Sequence, residues 1–199
     1  MCKKCGCHYT VSQRGYPEHI RRKAIQLYLE GNGFRRIKSI LKVSHVSVIN
    51  WVKKAGAKLE KVHKKDEKVE VLELDELCVK NTPKNIWLWT AVDLATKRLV
   101  GFQIGTRETK YFQKLADKIS YIDARFYASD HWHAYNLIDP AKHLTGKAHT
   151  YTVERINRLL RHYLARFARK TYCYSKSLQM IKYSLLLFMH RDFIECIML

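Results

Sequence analysis

The order of elements in this 199-residue chain predicts an α/β fold, a mixed sheet flanked by helices and preceded by a small all-α module. Three observations carry that prediction. From Val69 the apolar pattern is strand-like, in successive runs over 69–77, 86–92 and 98–104. From Thr152 it turns helical: Ile156, Leu159, Leu160, Tyr163, Leu164 and Phe167 recur at the spacing of one helix face. Ahead of Val69, residues 18–55 show helical periodicity broken by Gly31-Asn32-Gly33, a stop of the kind glycine makes after a helix.

Residues 1–17 form a short Cys-, Gly- and Tyr-containing opening, 18–55 the helical module, 56–68 a linker within a Lys-rich stretch, and 69–199 the α/β domain. The module reads as three helices. Ile20, Ala24, Leu27 and Tyr28 share one face of the first, and Ile37, Ile40 and Leu41 point inward from a second over 34–41. Lys42-Val43 turn the chain, and Ser44 or Ser47 caps a third helix that runs through Lys54. Two short helices joined by a tight turn make a helix-turn-helix, whose second member enters the DNA major groove. His45, Ser47, Asn50 and Lys53 then face DNA, while Val46, Ile49 and Val52 pack. A bundle used for protein contacts is the plainer reading. The basic flanks Arg35, Arg36, Lys38, Lys53 and Lys54 favour DNA.

Charge points the same way. Thirty-seven Lys and Arg against 18 Asp and Glu leave a net charge of +19, which favours a polyanionic partner through counterion release. The run Leu185-Leu186-Leu187-Phe188-Met189 is too short to span a bilayer, and the opening lacks the apolar core of a signal peptide, so a soluble cytoplasmic protein is expected. Cys78, Cys173 and Cys196 are scattered and read as small buried hydrophobes rather than disulfide partners. Cys2 and Cys5 have the spacing of one zinc knuckle, but a closed zinc site needs four ligands and Cys7-His8 follow too closely. The opening is either a half-site or a solvated tail, and the balance is against zinc.

Within the α/β domain, Asp93-Leu94-Ala95-Thr96-Lys97 joins the second and third strands as a hairpin. A helix is expected over 109–119, a fourth strand over 126–129 and a fifth within 143–151. Three hairpin strands, a helix, a parallel strand and further helices make the ribonuclease H type of α/β pattern. Three acids stand out on it. Asp75 interrupts the first apolar run, Asp130 ends the fourth strand, and Glu154 opens the long helix. Carboxylates at two strand ends and a helix start converge on one pole of a sheet, where they suit two hard cations such as Mg²⁺. Asn157, Arg158 and Arg161 share the helix face of Glu154, which places Arg158 or Arg161 against DNA phosphate. Asp93 is the expected decoy, bonding its own turn, and Glu76 faces away from Asp75 as a structural residue. Trp132 and Tyr135 are expected in the core, with His131 and His133 at the surface or on DNA.

The strings Leu74-Asp75-Glu76-Leu77, Ser129-Asp130-His131-Trp132-His133-Ala134-Tyr135 and Val153-Glu154-Arg155-Ile156-Asn157-Arg158-Leu159-Leu160-Arg161 resemble the catalytic segments of insertion sequence one family transposases. So does Leu164-Ala165-Arg166-Phe167-Ala168-Arg169-Lys170-Thr171, and the resemblance covers roughly 18–190. It implies a DDE transposase with an N-terminal zinc ribbon and helix-turn-helix. It also implies Asp75, Asp130 and Glu154 as ligands of two Mg²⁺ ions, replaceable by Mn²⁺, and Arg161 as the basic residue two turns after the glutamate. The activity so implied is cleavage at a DNA 3′ end and strand transfer into target DNA. The partners are double-stranded DNA, as terminal inverted repeats and target, and a second copy of the chain. Two features depart from the family pattern: the ribbon is shorter, and the ending 193–199 is strongly apolar. The rival readings are a catalytically idle DNA-binding regulator and a ribonuclease H-like nuclease that cuts without joining.

Overall fold

The computed structural model describes residues 4–6, 15–62, 67–79, 86–169, 172–173 and 175–193. Three helices open it: α1 (Glu18–Leu29), α2 (Phe34–Leu41) and α3 (His45–Glu60). Gly31 leaves α1 at φ +84°, a conformation open to glycine because it lacks a Cβ. Asn32 then donates its backbone N–H and its side-chain amide to the Leu27 carbonyl. Lys42, at φ 54°, turns the chain, and the Ser44 hydroxyl caps α3 by accepting the Val46 N–H. Ala24, Ile25, Tyr28, Ile37, Val48 and Val52 form the core of this helix-turn-helix module.

Three expectations about the module are corrected. Val46 is 51% exposed, and the inward stripe of α3 is Val48, Val52, Ala55 and Leu59. Val46 sits two residues, about 200°, around the helix from Val48 and cannot share that face. Ile40 is 49% exposed because Ile37 alone of α2 reaches the core fully. Finally, α3 continues past Lys54 to Glu60, so the first turn of the expected linker is helical. It continues because it has something to pack on: a Cβ added at Gly56 would stand 2.5 Å from the Tyr183 side chain.

The sheet contains β1 (Glu67–Val79), β2 (Ile86–Asp93), β3 (Arg98–Gly105), β4 (Ile122–Ser129) and β5 (His143–Thr145), in the order β3-β2-β1-β4-β5. The first three are antiparallel, whereas β4 runs parallel to β1 and β5 parallel to β4. The remaining helices are α4 (Thr109–Lys118), α5 (Tyr151–Tyr163) and α6 (Leu178–Met189). On one face Phe112 and Leu115 of α4 pack on Leu72, Leu74 and Trp89. On the other, Val153, Ile156 and Leu160 of α5 and Leu185 of α6 pack on Leu77 and Leu88. This mixed sheet between helices is ribonuclease H-like. α5 stops at Tyr163, yet Leu164 and Phe167 of the predicted stripe stay buried beyond it.

One helix joins the two cores. Ile181, Leu185 and Phe188 of α6 enter the sheet core, while Met180, Tyr183 and Leu187 enter the helix-turn-helix core. A buried hydrogen bond of 2.5 Å between the Tyr28 and Ser184 hydroxyls ties α1 to α6. Of the scattered cysteines, Cys78 is half-buried. Cys173 is exposed, contrary to expectation, in the connection between α5 and α6. Cys196, like Cys2, Cys7 and His8, lies outside the described residues, whereas Cys5 is exposed. Among the described residues no helix is long and apolar enough to cross a membrane.

Candidate active site

The parallel β1–β4 pairing brings the first two acids near one another. The parallel β1–β4 ladder pairs residues 55 positions apart, Val69 with Ala124 and Glu73 with Ala128. Asp75 and Asp130 are also 55 apart, two positions beyond the last pair of that ladder, and near enough for the charge of Asp130 to act on Asp75. Asp75 is half-buried on the α5 side of β1. Its Oδ2 accepts the side-chain amide of Asn157 at 2.8 Å, and Asn157 is itself buried beside the Thr90 hydroxyl. Burial pushes the Asp75 carboxyl up to about 6. The Glu76 N–H and Asn157 oppose that shift, and the charges of Glu76 and Asp130 add to it.

Asp130 follows β4 directly, and its Oδ1 accepts the backbone N–H of Trp132 at 2.9 Å. The Trp132 ring lies 3.7 Å under the Arg107 guanidinium, which also covers Trp87. Arg107 in turn makes two hydrogen bonds to Glu76 Oε1, and the Tyr135 hydroxyl donates to Glu76 Oε2 at 2.8 Å. Glu76 is thus fully partnered on the α4 side of the sheet, the structural role its position predicts. Asp93 is likewise the turn residue expected, accepting the N–H groups of Ala95 and Thr96. Tyr135 is buried and Trp132 half-buried, whereas His131 and His133 are exposed.

Glu154 is exposed in the first turn of α5, one turn before Asn157. Its charge acts on Glu73, a group that no sequence signal distinguishes inside the apolar run. Glu73 is fully buried, two residues before Asp75 on the same face of β1. Its Oε2 accepts the Val153 N–H at 2.6 Å, and its Oε1 has no hydrogen-bond partner among the described residues. Burial raises its pKa. Among the described residues no three His, Cys, Asp or Glu side chains stand close enough together to hold one metal ion. The charge of Asp130 acts on Asp75, and α5, which carries Glu154, reaches Asp75 through Asn157. The donors are carboxylate oxygens, the kind a hard divalent cation takes, and burial disfavours the ionised form of Asp75 in the absence of a countercharge.

Arg158 is exposed on α5, and the half-buried Arg161 donates to the Cys78 carbonyl. Burial, joined by the charge of Arg169, lowers the pKa of Arg161. On α3, Asn50 and Lys53 are exposed and His45 and Ser47 half-buried. His45 borders a cavity with Arg35, Lys38 and Lys42 across the α2–α3 turn.

A family model described as IS1 transposase matches residues 69–194, which hold all of the sheet but the first two residues of β1, all three acids and α6. The chain belongs to the IS1 transposase family. A second transposase model, a helix-turn-helix one, matches 14–97 and so covers the module ahead of the IS1 match. The insertion element iso-IS1n protein InsB of Shigella dysenteriae is 34% identical over 112 residues, 55% of this chain and 86% of that protein. The IS1 protein InsB of Shigella sonnei is 33% identical over 95 residues, 47% of this chain and 72% of its own length. The IS1 4 protein InsB of Escherichia coli K12 has the same identity over 57% of its length. A cryo-EM structure of the simian T-cell lymphotropic virus intasome with PP2A regulatory subunit B56 gamma aligns over 69% of this chain and 58% of that one. Its identity is 14% and its TM-score 0.38, a loose likeness that says nothing of activity.

Within this IS1 family chain the signals available for the missed groups differ. Asn157 shares the Glu154 face at helical spacing, so its contact with the first acid was within reach of the pattern. Glu73 and the Trp132 N–H gave no signal, since each matters through a partner far away in sequence or through the backbone.

Proposed function

We propose that this chain is an insertion-sequence transposase that cleaves DNA at the 3′ ends of its element and transfers them into target DNA. The observation that carries the proposal is the approach of Asp75 and Asp130, the charge of one adding to the rise that burial gives the carboxyl of the other, up to about 6. Asp75, Asp130 and Glu154 are the residues that would hold divalent metal, Mg²⁺ or Mn²⁺. Bound there, such ions lower the pKa of the attacking water or 3′-hydroxyl and offset charge on the leaving oxygen.

The chain's own groups supply position. Asn157 fixes one oxygen of Asp75, and the Trp132 N–H fixes one oxygen of Asp130. Glu73 holds the first turn of α5 through the Val153 N–H and so sets the height of Glu154. Arg158 and Arg161 bind phosphate on the same helix. The module from Glu18 to Glu60 reads the terminal inverted repeats through His45, Ser47, Asn50 and Lys53, and the domain from residue 69 carries the chemistry. Joining two ends calls for at least two copies on DNA.

Strand transfer tests this. Labelled duplexes carrying the element's ends are incubated with supercoiled plasmid, with Mg²⁺ or with chelator. Joined product should need the metal and fall at least about 10³-fold in Asp130→Ala, roughly 4 kcal/mol of barrier, while DNA affinity changes little. Binding with neither cleavage nor joining would leave a DNA-binding regulator, and cutting without joining a nuclease.

A further inference from the structure

An open cleft of about 980 Å³ separates the helix-turn-helix module from the connection between α5 and α6. Its lining includes Arg35, Arg36, Lys53, His162, Arg166 and Lys176, and among the described residues no Asp or Glu. The floor is built around Arg166, which is only 7% exposed. Its Nε donates to the Tyr28 hydroxyl at 2.8 Å and its Nη1 to the Ser175 hydroxyl at 2.7 Å. The guanidinium lies 5.3 Å from the Phe34 ring centroid and 5.7 Å from that of Tyr28. Among the described residues no carboxylate pairs with it.

A buried cation held by two neutral hydroxyls and two aromatic faces retains most of its charge. Were Arg166 only a structural strut between α1 and the α5–α6 connection, the mutual repulsion of the four further cations around it, Arg35, Arg36, Lys53 and Lys176, would be a cost with no return. An anion reverses the sign of that cost. The walls also come from two elements with other claims on DNA: Lys53 lies on α3, and His162 follows Arg161 on α5.

We infer that this cleft seats the phosphate backbone of duplex DNA, clamping the stretch between the part read by α3 and the part held by α5. The inference rests on the DNA transposase reading above and adds a second grip to it. That grip is blind to sequence, because its donors are charges and hydroxyls set for phosphate and not for base edges. It makes the two modules hold one duplex jointly.

The test is the salt dependence of binding to a duplex of arbitrary sequence, read by fluorescence anisotropy. Arg166 is left alone, since removing it endangers the fold. Arg36→Gln and Lys176→Gln, both at exposed positions, are combined in the full chain. Removing one cation that neutralises a phosphate flattens the slope of log K against log salt by about 0.9, so the double variant should flatten it by nearly 2. Lys114→Gln, on α4 across the sheet, should leave the slope unchanged, and melting temperatures check that all three proteins stay folded. A wild-type slope that survives in the folded double variant overturns the clamp and leaves the transposase reading standing. Equal flattening by Lys114→Gln also overturns it, by reducing the effect to net charge. Absence of duplex binding by the wild type sinks the DNA reading itself.

Discussion

The two faces of β1 treat neighbouring acids in opposite ways. On the α4 side Glu76 has a guanidinium on one oxygen and a tyrosine hydroxyl on the other, beneath an Arg107 that is itself covered by two tryptophans. Among the described residues, Asp75 on the α5 side receives the Asn157 amide and the Glu76 N–H but no cationic side chain, against the charges of Glu76 and Asp130, and behind it Glu73 keeps an oxygen with no partner. Both faces are largely buried, so burial alone does not separate them. Compensation does. A satisfied carboxylate holds a fold together, whereas a partly satisfied one inside a strand has its charged form disfavoured by burial.

The contrast can be broken from either side. The largest effect is expected on the satisfied face. Glu76→Ala strands the Tyr135 hydroxyl and a partly covered guanidinium, and should cost about 3 kcal/mol in urea unfolding. A loss below about 1 kcal/mol would mean that Glu76 is no structural keystone. Next comes Asn157→Ala, which removes the side chain that orients Asp75. Strand transfer should fall about 10–100-fold, the usual range for a group one step behind a metal ligand. Duplex affinity should hold, and an equal loss of both would make Asn157 a DNA-binding residue.

The smallest effect concerns pH. The folded-state pKa of Asp75, about 6, stands above its ordinary value of 3.8. Folding therefore favours the protonated form, and the cost of ionising it grows from about pH 4 and is complete above about pH 6. Asp75→Asn should stabilise the metal-free protein by about 1–2 kcal/mol at about pH 7.5 and by nothing near pH 4. Thermal unfolding with chelator across that range checks the sign. Added Mg²⁺ or Mn²⁺ should narrow the gap by stabilising the wild type alone.

Much of this was legible in the sequence, for reasons the structure makes plain. The succession of strands along the chain followed from the apolar runs, and the 55-residue spacing of Asp75 and Asp130 equals the register of β1 on β4. Asp93 and Glu76 were separable from Asp75 by turn chemistry and by face. What escaped was tertiary. The α3 stripe begins at Val48 and not at Val46, because an exposed valine beside a cap looks in sequence like a buried one. Cys173 lies outside the core because composition does not register that a connection runs over the surface. Glu73 looks like one more polar residue in a β run until α5 lays its first turn across it. Arg166 lies inside a string that resembles the family, but its aromatic seat comes from α1 and α2, more than a hundred residues earlier.

The helix that serves two cores also fixes an order of events during synthesis. Residues 18–60 leave the ribosome before α6, yet their core is closed by Met180, Tyr183 and Leu187, about 120 residues later. At typical elongation rates that wait lasts on the order of ten seconds. The helix-turn-helix module is therefore made before the helix that completes it, and a chain cut short anywhere before α6 should reach solution with that module unsettled.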